Sequence, residues 1–330
     1  MASPARFFAL AAFLVYVAAS AIVPPGRQGL PFQPIANTHA PTTEINTIAQ
    51  AAIQVKKSSA AAAIVASPRD PEGYHLVFGP TGGANNAPGY MGFTFLDKYD
   101  VNACAQLCNN RGADPVGGVC QYFNIWRAVV NGVPTTHTCA MYFLVADEST
   151  AVNTGQGDLV VTLSRGYARK NLVIDGGFEG FNACDDFCFA ASYANWIGTS
   201  PAGGDLDATI FFSPTLAKDG NGSGLLGAAF GDDTDAGTLT PTKPLATKAG
   251  ATYVIQSFFV SSFSDPDSEA AAHVDILWNG VVVGGTSGFT AAYTPTQSVS
   301  VKGTGNDTLS FHGGAAPAWT LIDDVGVFQL

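Results

Sequence analysis

Apolar residues along this chain fall into three textures. Phe7 to Ala19 is an unbroken apolar run behind Arg6, ending in the small residues Ala19-Ser20-Ala21. The run is shorter than the roughly 20 apolar residues a bilayer span needs, so the pattern predicts a signal peptide over 1–21. No later run is long enough for a membrane helix, and no membrane attachment is expected after cleavage. Residues 22–73 are rich in Pro, Thr, Ala and Ser without a sustained period, which reads as a leader or linker. Lys56-Lys57 within it is a candidate processing site, with two solvated lysines as the alternative reading.

From residue 74 to 168 one helical segment stands among strands. Asp100 is suited to cap a helix starting at Val101, which places Cys104 and Cys108 four residues apart on one face. The segments Cys120 to Trp126 and Cys139 to Leu144 carry the aromatic and β-branched residues of strands, and Asp158 to Ser164 reads as a closing strand. From 169 to 330 the texture changes to nine short apolar runs between Gly, Asp, Pro and Ser clusters, the first at Leu172 to Ile174 and the last at Thr320 to Phe328. Such spacing without a long amphipathic helix predicts an antiparallel sandwich or jelly roll. Asn279-Gly280 between Trp278 and Val281 predicts a two-residue hairpin of type I′. The expected fold is mainly β: a small disulfide-stapled α+β module followed by an antiparallel β-sandwich.

Charge sharpens the boundary. The chain has 15 Lys+Arg against 26 Asp+Glu, a net charge of −11. Residues 1–170 hold 11 basic and 9 acidic residues (+2), whereas 171–330 hold 4 basic and 17 acidic (−13), 15 of the acids being Asp. A chain so poor in clustered Lys and Arg is not expected to bind nucleic acid, because phosphate neutralisation needs a basic surface. Asp serves turns and hard cations alike.

Six cysteines, at 104, 108, 120, 139, 184 and 188, argue for three disulfides in an oxidising compartment, although six permit 15 connectivities. The four-residue spacing of Cys184 and Cys188 suits a small local disulfide, Cys184–Cys188, rather than a redox pair, which spaces its cysteines more closely at a helix start. Asn221-Gly-Ser and Asn306-Asp-Thr are N-glycosylation sequons, placing Asn221 and Asn306 in candidate glycosylated loops.

The segments Ala103-Cys-Ala-Gln-Leu-Cys108, Cys120-Gln-Tyr-Phe123 and Cys139-Ala-Met-Tyr142 resemble the apple/PAN module, in which a central helix is tied to its sheet by two disulfides. That resemblance implies the pairs Cys104–Cys139 and Cys108–Cys120 and a protein- or carbohydrate-binding, non-catalytic role. The second unit opens with Asp175-Gly176-Gly177-Phe178-Glu179 and closes with Ile322-Asp323-Asp324-Val325. Together these ends resemble the galactose-binding-like jelly rolls of secreted carbohydrate-binding modules. The resemblance implies a structural calcium ion held by Glu179 and one of Asp323 and Asp324, with Asp175 a further contributor, and calcium chemistry suits such oxygens. The alternative is that the paired aspartates bond backbone donors near Asp175. The whole arrangement from residue 74 onward looks like the secreted fruit-body-specific proteins of mushroom-forming fungi.

Tests for catalysis come back empty: there is no Gly-x-Ser-x-Gly, no His-Glu-x-x-His, and none of the five His is paired at metal-ligand spacing. The aspartate clusters at 231–235 and 265–269 sit among turn residues. Sugar binding asks for an aromatic face and polar groups for hydroxyls. Trp319, Tyr293 and Trp196 are the candidate stacking residues, Trp196 at a position that similar modules often bury, and His312 is a candidate to line a ligand loop. Trp278 shares parity with Val274 and Ile276 and belongs to a core face. The sequence therefore points to a secreted, non-catalytic carbohydrate-binding protein of the cell wall or extracellular matrix, with wall polysaccharide or glycoprotein glycans as partners. The alternatives are a protein-interaction or structural wall protein and a glycoside-active enzyme.

Overall fold

The computed structural model describes residues 67–330 except 232, 233, 297, 315 and 316. The signal-peptide and most of the leader readings, including Lys56-Lys57, lie outside the described residues. The chain divides into two compact units with a boundary between Lys170 and Asn171, the last residues Phe328–Leu330 counting with the first unit.

In the first unit the chain runs β1 (Tyr74–Thr81), β2 (Tyr90–Leu96), α1 (Val101–Asn109), β3 (Tyr122–Val130), β4 (Val133–Tyr142), β5 (Gly155–Gln156) and β6 (Leu159–Arg169). The strands pair antiparallel in the order β1-β6-β3-β4-β2, with β5 on β6. Helix α1 starts where a short acidic side chain can accept orphan amides: Asp100 takes Asn102 N–H and Ala103 N–H, both at 3.0 Å. Its buried face is Val101, Cys104, Ala105 and Cys108, packed with Phe123, Ile125, Met141 and Tyr167 of the sheet. Disulfides Cys104–Cys139 and Cys108–Cys120 staple that face, with Cα separations of 5.6 and 5.4 Å. On the sheet's other face the loop between β1 and β2 is held by buried amides: Asn85 N–H donates to Asn124 Oδ1, and Tyr122 donates its hydroxyl to Asn85 Oδ1 at 2.6 Å.

The second unit runs β7 (Cys188–Ala190), β8 (Trp196–Thr199), β9 (Ala208–Phe212), β10 (Gly222–Leu226), β11 (Gly237–Pro241) and β12 (Thr252–Val260). It continues with β13 (His273–Trp278), β14 (Val281–Ser287), β15 (Thr294–Pro295), β16 (Val299–Lys302), β17 (Leu309–Gly313) and β18 (Thr320–Gln329). Two antiparallel sheets result: seven strands in the order β15-β12-β18-β10-β9-β7 with β16 on β12, and five in the order β14-β13-β17-β11-β8. Their facing surfaces share one core, to which the first sheet contributes Ile210, Tyr253, Ile255 and Ile322 and the second Trp196, Leu239, Val274, Ile276 and Phe311. This is a mainly β protein with a sandwich architecture. Asn279 and Gly280 adopt φ of +52° and +78°, the left-handed pair a type I′ turn requires, and Trp278 faces Val281 across it.

Leu172 to Ile174, expected to be a strand, is not one. The backbone turns left-handed at Asp175 (φ +56°) and Phe178 (φ +60°), so the segment runs into a tight turn rather than a ladder. It is fastened instead by Asn171, whose Oδ1 accepts Val173 N–H and Val327 N–H and whose Nδ2 donates to Val325 O. Gly176 lies so close to β18 that an added Cβ would sit 1.9 Å from Val325 O, which explains glycine there.

Candidate functional site

Two places in the second unit gather chemistry. The first is the junction of the Asn171–Glu179 segment with β18. Asp175 Oδ2 accepts Gly180 N–H, Tyr193 O–H and Asn195 Nδ2–H at 2.8, 2.6 and 3.2 Å, while its carbonyl accepts the indole N–H of Trp196 at 2.9 Å. Burial, reinforced by the Asp175 carboxylate, pushes the Tyr193 hydroxyl far above its usual range, so it stays a donor. Asp175 is thus a scaffold for the aromatic residues beside it.

Glu179 works on a different element, the turn between β9 and β10, accepting Asn221 N–H at 2.8 Å and Gly222 N–H at 2.9 Å. Asp323 is fully buried; its Oδ2 accepts Lys218 N–H at 2.8 Å and its Oδ1 accepts Asp324 N–H at 2.7 Å. Asp324 has φ +48°, a left-handed kink inside β18 that lets both neighbouring carboxylates border Gly177, each Oδ1 being 3.7 Å from where a Cβ there would stand. Of the residues expected to hold a calcium ion, Glu179 and the paired aspartates come together beside Gly177, whereas the further contributor Asp175 does not join them. The ammonium of Lys218 bonds Asp324 Oδ2 at 2.6 Å. Among the described residues no group of three or more His, Cys, Asp or Glu side chains is arranged to hold a metal ion.

The second place is the outer face of the seven-stranded sheet. Strand alternation turns Ile210 and Phe212 inward and Phe211 outward, where Phe211, Leu225, Val260 and Leu321 form a separate cluster. Around it stand Phe189, Phe263, Tyr293 and Trp319, half-buried. The Cys184–Cys188 disulfide, Cα to Cα 6.2 Å, closes the loop that leads into edge strand β7. Phe187 inside that loop meets Phe211 edge to face at 5.3 Å, Phe189 lies over Phe211 at 5.4 Å, and Phe230 meets Phe189 edge-on at 5.6 Å. These are favoured aromatic geometries. Phe187 and Phe230 remain 37% and 42% exposed, whereas Phe211 beneath Phe187 and Phe189 is buried, which makes them the accessible rim of a packed aromatic cluster. Asp185 and Asp186, beside Phe187 in sequence, are exposed.

The residues singled out by sequence separate accordingly. Trp319 and Tyr293 border the cluster, but each spends its polar handle internally: Trp319 Nε1–H donates to Ala228 O at 3.0 Å and Tyr293 O–H to Leu216 O at 2.7 Å. The Trp319 amide is fixed by buried Glu269 at 2.8 Å. Trp196 is corrected from ligand contact to core, being 0% exposed against Phe178 at 4.7 Å and Phe311 at 6.4 Å. His312 is half-buried in β17, its Nδ1 2.9 Å from Thr238 Oγ1, in the five-stranded sheet and thus apart from the cluster. Asn221 and Asn306 are both exposed. Phe187, Phe189, Phe211 and Phe230 were missed; the alternation Phe187-Cys188-Phe189 within a disulfide loop was the signal available. A separate shallow depression, lined by Leu172, Ile174, Asn195, Pro241 and Lys243 among others, holds no carboxylate and no aromatic side chain.

No family model matches the chain, and no curated protein does. Among solved structures it is similar to the carbohydrate-binding module TmCBM61 in complex with beta-1,4-galactotriose, at 13% identity and a TM-score of 0.34, over 49% of this chain and 99% of that one. It is also similar to the K1 cleaved adhesin domain of Lys-gingipain from Porphyromonas gingivalis W83, at 12% identity and a TM-score of 0.31, over 43% and 98%. A third is the CBM22-1 xylan-binding domain of Paenibacillus barcinonensis Xyn10C, at 13% identity and a TM-score of 0.28, over 40% and 85%. The sandwich architecture rests on the strand pairing described above.

Proposed function

We propose that the chain is a secreted, non-catalytic carbohydrate-binding protein that takes the apolar face of a sugar ring on the platform of Phe187, Phe189, Phe230 and Trp319. The observation that carries this reading is the partial exposure of Phe187 and Phe230 on a buried aromatic base. A pyranose presents axial C–H groups that pack on an aromatic face, and a ring already fixed by neighbouring rings loses little entropy on binding. Carboxylates such as Asp185 and Asp186 supply acceptors for sugar hydroxyls. Wall or matrix polysaccharide is the partner class. Secretion is supported by three disulfides and by the absence, among the described residues, of a helix long and apolar enough to cross a membrane.

Affinity retention on insoluble glucan, mannan and galactan tests this. The wild-type chain should be retained by at least one of them. Phe187→Ala and Phe230→Ala should each weaken retention roughly fivefold to tenfold, since a stacked aromatic contributes about 1 kcal/mol. Both sites are partly exposed, so the variants should fold. Wild-type flow-through on all three matrices, or a double variant retained as well as wild type, would sink the proposal. An apolar patch retained by no glycan would instead be a protein-docking surface.

A further inference from the structure

The second unit has four basic residues against 17 acidic, and Lys218 is the only Lys or Arg between Lys170 and Lys243. Its placement is not that of a solvated surface lysine. The segment between β9 and β10 folds back on itself, Ser213 N–H bonding Asn221 O at 2.7 Å while Leu216 N–H and Ala217 N–H bond Ser213 O. That fold delivers the Lys218 amide to Asp323 Oδ2 at 2.8 Å. It also delivers the ammonium to Asp219 Oδ2 at 2.5 Å and Asp324 Oδ2 at 2.6 Å. The Phe258 ring lies beneath, its centroid 4.4 Å from Nζ. The Lys218 side chain is only 18% exposed. At the far end of the same segment Glu179 grips Asn221 and Gly222.

A calcium ion here would need six to eight oxygens at about 2.3–2.6 Å. The side chains present do not fit it. Glu179 already accepts two backbone amides, both Asp323 oxygens accept amides, and one of the two Asp324 oxygens, Oδ2, is bonded to a cation of the chain itself. A divalent ion on that oxygen would stand within a few ångströms of a like charge.

We infer that Lys218 is the resident cation of this junction, bonding both Asp219 and Asp324 and tying the Ser213–Asn221 segment to the last strand, in place of the calcium ion the sequence suggested. A tethered ammonium has three donors, enough to bond two carboxylates while its charge lies over a ring face. It also cannot be chelated away, so the junction is independent of divalent ions. This inference stands apart from sugar binding, and its readout is thermal melting rather than retention on polysaccharide.

The test compares the full chain with Lys218→Met and Lys218→Arg, each melted in millimolar CaCl2 and in EDTA at matched ionic strength. Wild type and Lys218→Arg should melt at the same temperature in both buffers. Lys218→Met should melt about 5 °C lower in EDTA, as loss of a half-buried ion pair implies, and should recover part of that fall in calcium, because uncompensated carboxylates then attract the ion. A wild-type midpoint that rises in calcium, or a Lys218→Met midpoint equal to wild type in EDTA, overturns the inference. Should Lys218→Met not fold, terbium luminescence on the wild-type chain decides: no sensitised emission is expected, and saturable emission displaced by calcium overturns it.

Discussion

Trp196→Ala should cost the second unit about 4 kcal/mol of stability, the range for removing a fully buried tryptophan, while Trp196→Phe should cost less than half as much. The indole has no exposed surface, packs on Phe178 and Phe311, and donates its N–H to the Asp175 carbonyl. Alanine would leave a cavity at the centre of the sandwich and strip the left-handed turn at Asp175 of the donor that satisfies it. Phenylalanine refills most of the volume and forgoes only the hydrogen bond. The discriminating result is glycan retention. If Trp196 is core, Trp196→Phe keeps whatever retention wild type shows at temperatures where it is folded. A folded Trp196→Phe chain that loses retention would return this residue to the binding surface. Urea unfolding followed by fluorescence and circular dichroism measures the stability difference.

Asp307→Ala should cost about 3 kcal/mol, and Asp307→Asn should remove a specific part of the acid sensitivity. Asp307 has no exposed surface. Its Oδ1 accepts Asn279 Nδ2–H at 2.6 Å and Thr304 O–H at 2.7 Å, and its Oδ2 accepts Thr304 N–H at 2.8 Å and the Thr247 hydroxyl. Burial pulls its pKa up, but the hydrogen bonds from Asn279, Thr247 and Thr304 outweigh burial and hold it at about 2. A carboxylate depressed in the folded state below its ordinary value near 4 contributes stability that is complete above about pH 4. That contribution is lost as pH falls toward 2. Equilibrium unfolding at pH 5, 3 and 2 should show wild type losing stability more steeply over this window than Asp307→Asn. Parallel curves for the two would refute the assignment.

How much of this was legible beforehand depended on whether the deciding interactions are local. The Asp100 cap, the Asn279-Gly280 turn and the inward parity of Val274, Ile276 and Trp278 involve residues at most four apart, and each is found as the local pattern implies. Strands β8 and β11 carry no continuous apolar run, because short segments of a sandwich need only every second residue apolar and β8 lies at a sheet edge. The false strand at Leu172–Ile174 is the converse, an apolar run whose backbone is turned by left-handed residues just after it. The candidate site was harder still. Phe187, Phe211 and Phe230 come from three separate segments, and Lys218 meets Asp324 across 106 positions of sequence. Composition marked the acidic half but not the one cation folded into it.

The small Cys184–Cys188 ring has a practical corollary. Edge strand β7 is three residues long and pairs only with β9, so little besides that covalent closure fixes Phe187 over Phe211. A chain made in a reducing cytosol, or assayed with a thiol reductant, would keep its double-sheet core while losing the geometry of its rim. Such material would also lose the two staples of α1 and should show the weakened retention expected of Phe187→Ala, so the choice of expression host and buffer is itself an experimental variable for this protein.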